Sequence, residues 1–85
     1  MTLRYVGVDP DTGQGDSSTV WIDKERKRFV LQGYQADEDL IRQISEVPAP
    51  EHTAGIPVGE AAIWIPFRLA KIIREACDAA EYELE

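Results

Sequence analysis

Residues 7 to 18 read Gly-Val-Asp-Pro-Asp-Thr-Gly-Gln-Gly-Asp-Ser-Ser, with three carboxylates (Asp9, Asp11, Asp16) and three glycines in one short connection. Such a segment can hold a metal ion, cradle a phosphate or simply turn. Asp9, Asp11 and Gly13 have the alternating spacing that opens a calcium loop. Counting from Asp9, however, position six is Gln14 and position twelve is Val20, where calcium needs a glycine and a glutamate. What remains is a weak magnesium pair, Asp9 and Asp11, against a turn in which aspartates bond the backbone and glycines take positive φ. Gly13-Gln14-Gly15 has neither the Lys-Ser/Thr pair of a P-loop nor the third glycine of a dinucleotide fingerprint.

A β-prone segment ending in Gly-Val-Asp-Pro-Asp is similar to the opening of a ribonuclease-H-like or Holliday-junction-resolvase-like fold. That similarity implies a small metal-dependent phosphodiesterase or nucleic-acid-processing domain using Asp9, Asp11 and Glu60. Three features oppose it. Eighty-five residues are too few for the whole fold, the later strand has only Glu60 beside it, and the net charge of -7 repels a phosphate backbone. Nucleophilic chemistry has one histidine, His52, and one cysteine, Cys77, with nothing in the spacing to pair them. No catalytic residue and no cofactor is expected.

The remaining chemistry is that of a contact surface. Trp21, Trp64, Phe67 and Tyr82 are large for so small a core, and exposed aromatics mark contact sites. The expected binding surface is a sheet face around Trp21 and Tyr34, together with the loop from Asp9 to Asp16. A protein partner fits, and the acidic balance favours a basic one. A homodimer through the same face is compatible with the composition. There is no apolar run of about 20 residues to span a bilayer. No signal-peptide pattern opens the chain, so a cytoplasmic location is expected. The lone Cys77 agrees with a reducing compartment.

These residues need elements to place them. Residues 4–8, 19–23 and 28–35 are β-prone, and the charged stretch from Lys24 to Lys27 reads as a hairpin turn. Val20 and Ile22 share one face; Trp21 points to the other. Asp37 is a candidate N-cap for a helix with a Leu40, Ile41, Ile44, Val47 stripe, ended by Pro48 and Pro50. A Pro/Gly-rich loop over residues 48–59 leads to a strand over 61–65. After Pro66 a second helix runs from Phe67 to about Glu81, with Leu69, Ile72, Ile73, Ala76 and Ala80 on one face. Arg68, Lys71 and Arg74 read as its solvated side. The expected fold is one small α+β domain over residues 1–83, of order (β)ββαβα. It has one sheet of three to four mainly antiparallel strands with two helices on one face. Leu84-Glu85 is read as a vector-derived tail and set aside.

Four segments carry a wider resemblance: Arg4 to Gly15, Thr19 to Asp23, Val30 to Tyr34, and Ile65 to Leu69. On these the chain resembles a family of small actinobacterial, streptomycete-type hypothetical proteins, some encoded near helix-turn-helix regulators. The resemblance implies an accessory regulatory role and supplies no catalytic residues. The expectation is a non-enzymatic protein-interaction domain, its partner a protein such as a regulator.

Overall fold

A computed structural model describes residues 3–11 and 17–84. It is an α+β structure whose element order matches the expected one, but its strands form two sheets. The chain divides into two compact units, residues 1–33 with 65–85 and residues 34–64.

In the first unit, strands β1 (Leu3–Val8), β2 (Thr19–Asp23) and β3 (Arg28–Gln32) form an antiparallel sheet in that order. The β2–β3 hairpin turns through residues 24–27, the charged stretch. Asp23 holds this turn: its Oδ1 accepts from Arg26 N at 3.1 Å and its Oδ2 from Arg28 Nε at 3.1 Å. Lys27 takes φ 53°, the left-handed conformation that lets the chain reverse.

Pro66 precedes a 3-10 turn, Phe67–Leu69, which runs into helix α2 (Ala70–Leu84). Helix α2 packs on β1 and β2. Val20, Ile22, Leu69 and Ala76 are the buried core, with Val6, Ile72 and Ile73 packed against them. The β1–β2 register shifts between Tyr5 and Gly7. A Cβ on Gly7 would stand 2.8 Å from Ile72 Cγ2, so the absent side chain is what allows the helix to close on the sheet.

The second unit holds strand β4 (Tyr34–Gln35), helix α1 (Glu38–Glu46) and strand β5 (Ile63–Trp64). Asp37 caps α1 by accepting from Leu40 N at 2.9 Å, as its position predicts. Strands β4 and β5 pair antiparallel, Tyr34 with Trp64 and Gln35 with Ile63. Ala36 N donates to Ala62 O at 3.2 Å and extends the ladder by one bond. The single-sheet expectation is therefore corrected. Residues 28–35 break at Gly33 into β3 and β4, and the strand expected over 61–65 shortens to Ile63–Trp64 and pairs with β4. Gly33 lacks a side chain to hold the strand together, and Pro66 lacks a ladder donor. No residue of 34–64 is buried. Among the described residues, no helix is long and apolar enough to cross a membrane.

Candidate functional site

Asp9 lies just beyond β1, where its N–H donates to Ser18 O at 2.8 Å and keeps the two chain segments together past the ladder. It is 2 % exposed, an unusual place for a carboxylate. Arg68 accounts for it. From the 3-10 turn, Arg68 Nε donates to Asp9 Oδ1 at 2.6 Å and Nη2 to Oδ2 at 2.7 Å, a bidentate fork. Asp11 N also donates to Asp9 Oδ1, at 3.0 Å, making the Asx turn that the Asp-Pro-Asp sequence suggests. The Arg68 bonds hold the Asp9 carboxyl below the usual aspartate range. Burial opposes this, and the Asp11 N–H and the Arg68 charge reinforce it.

The Asp11 carboxylate also faces Arg68, with Oδ2 3.7 Å from Nε. The cation that faces both Asp9 and Asp11 is thus a guanidinium. Asp16, the third carboxylate of the run, lies outside the described residues. Glu60 is exposed and belongs to the second unit. Among the described residues, no group of three or more His, Cys, Asp or Glu side chains is placed to hold a metal ion.

Ser17, Ser18 and Thr19, on the segment to which the Asp9 N–H bonds, are also buried. Ser17 O accepts from Thr19 Oγ1 at 2.9 Å and Gln32 Nε2 at 2.7 Å. Ser18 Oγ is buried with no hydrogen-bond partner among the described residues. This arrangement fixes where β1 ends and β2 begins.

The aromatic residues are placed differently. Trp21 is half-buried in β2, between cross-strand neighbours Tyr5 and Val30, on the sheet face opposite Val20 and Ile22. Tyr34 stands on the other sheet, so no single sheet face carries both residues of the expected surface. Tyr34 pairs instead with Trp64. The rings stack with centroids 4.5 Å apart and planes 25° from parallel, and both stay exposed, at 39 % and 48 %.

Cys77 is a half-buried free thiol lining a cavity of about 220 Å³, with Ile22, Phe29, Ala80 and Leu84. Leu84, set aside on sequence grounds, is the last residue of α2. His52 is exposed in the loop of the second unit.

Two residues matter more than their sequence positions suggested. The spacing by three of Arg68, Lys71 and Arg74 predicts a solvated helix side, whereas Arg68 is bonded to the buried Asp9. Trp64 was one aromatic among four. The one available sign for Trp64 was its β-prone setting, Ile63-Trp64-Ile65, which places a large ring on a strand. No family model, curated protein or solved structure matches this chain.

Proposed function

We propose that this chain is a non-enzymatic protein-interaction domain of accessory regulatory type, in a cytoplasmic setting, with its contact surface on the second unit. The observation that carries this reading is the Tyr34–Trp64 pair: two large rings held in fixed geometry by a strand ladder and left open to solvent. Rigid aromatics lose little side-chain entropy on docking and are enriched where binding energy concentrates. The state of Asp9 supports the same reading from the other side. A carboxylate that is buried and bidentately paired with an arginine is engaged in the fold, which leaves its oxygens less open to a metal.

The test is partner capture from a lysate of the native source, comparing the natural protein with a Tyr34→Ser/Trp64→Ser double variant. The expected result is a protein, or a second copy of this chain, retained by the first and lost by the second. Identical sets of retained proteins, or none, would overturn the reading.

A further inference from the structure

Most of the chain's net charge lies in the unit that carries the aromatic pair. Residues 34–64 hold six carboxylates, Asp37, Glu38, Asp39, Glu46, Glu51 and Glu60, and one basic residue, Arg42. That is a formal -5 out of -7. Arg42 pairs with Asp39 and Glu46. Glu38, Glu51 and Glu60 have no ion pair among the described residues, and Asp37 is spent on capping α1. The ladder brings part of this charge to one end. With Ala36 bonded to Ala62, the chain continues to Asp37 and Glu38 on one side and comes from Glu60 on the other. Ala36 and Ala62 fall two residues from Tyr34 and Trp64, on the same face of the ladder, and both are small, half-buried residues.

We propose that the Tyr34–Trp64 pair, with the carboxylates at that end of the ladder, docks a cationic side chain presented by a basic segment of a partner protein. Arginine fits better than lysine. Its guanidinium is planar, weakly hydrated and stacks on an indole or phenol face, while its N–H fork reaches nearby carboxylates. A nucleobase would also stack on these rings, but its phosphates would meet a unit of charge -5. A proline-rich segment would use the rings without any need for the carboxylates. This proposal rests on the protein-interaction reading and names the chemical class of its partner.

Three peptides on the intact chain decide it: an acetylated Gly-Arg repeat of seven residues, the same peptide with citrulline for arginine, and a proline-rich peptide of equal length. The Trp64 indole N–H and the backbone amides of 34–64 are followed by NMR at low and at high salt. The arginine peptide is expected to move the Trp64 indole signal saturably, with a midpoint about fivefold or more below that of the citrulline peptide. High salt should weaken it. Equal response to citrulline, tighter binding of the proline-rich peptide, shifts that omit Trp64, or no response would each overturn the proposal. These arms need no variant, so misfolding cannot obscure them. If they fail while partner capture still depends on Tyr34 and Trp64, the cationic partner class alone is wrong. If both fail, the interaction reading falls with it.

Discussion

The two units of this chain solve the same problem with different means. The first, residues 1–33 and 65–85, has a core of Val20, Ile22, Leu69 and Ala76, and even its carboxylate Asp9 is inside. The second, residues 34–64, buries no residue. It is held by a capped helix, a two-residue ladder and a ring stack. The contrast reverses the naive assignment of roles. In the segment richest in reactive groups, the described carboxylate Asp9 is bonded within the fold, while the unit with no buried residue carries the exposed aromatic stack on which the proposed binding rests. A unit with few buried contacts has little to lose by leaving aromatic area open for a partner.

Attacking the core of the first unit should give the largest effect. Leu69 is fully buried, and Leu69→Ala is expected to cost about 2–5 kcal/mol in denaturant unfolding. A cost below 1 kcal/mol would erase the distinction between the units. Gly7→Ala places a Cβ into Ile72 and is expected to cost about 1–3 kcal/mol by overpacking. A neutral result would mean that α2 can slide on the sheet. In the second unit, Asp37→Ala removes the cap of α1 and is expected to cost about 1 kcal/mol of local stability, read as faster amide exchange at Leu40 and Ile41. No change in exchange there would show that the cap is not what holds α1.

The mildest perturbation is pH. The Asp9 carboxyl is lowered in the folded chain, so its contribution to stability is whole above the ordinary aspartate value of about 4 and is lost as pH falls through the lowered native value. Stability of the natural protein should therefore decline below about pH 4. An Asp9→Asn variant should be less stable at neutral pH and lose the part of that acid dependence that Asp9 supplies. If the variant keeps the full dependence, other carboxylates set it.

Local features of this fold were legible in the sequence and long-range ones were not. The hairpin from Thr19 to Gln32, the turn at Lys24 to Lys27, the Asp37 cap and the stripe of α2 all follow from period, turn chemistry and capping within a few residues. The division into two sheets depends on which strand β5 meets, and Ala61 to Ile65 contains nothing that chooses β4 over an edge of the first sheet. Arg68 and Asp9 lie 59 positions apart. Spacing alone groups Arg68 with Lys71 and Arg74 on one helix side, yet Arg68 sits in the 3-10 turn before α2, where three residues per turn shift its phase. The aromatic surface was half legible. Tyr34 was named, but its partner is Trp64 across the ladder and not Trp21.

Whether Asp9 belongs to Arg68 or to a ligand decides between a structural and a chemical role for the acidic run. A magnesium titration of the natural protein, followed through the Asp9 and Asp11 amides and the Arg68 Nε–H signal, tests this most directly. The expected result is no saturable change at any of the three below millimolar metal, because the guanidinium already bonds both oxygens of Asp9 and faces Asp11. Saturable shifts at Asp9 and Asp11 together with release of the Arg68 signal would contradict it, and would return the acidic run to the metal-dependent chemistry its spacing first suggested.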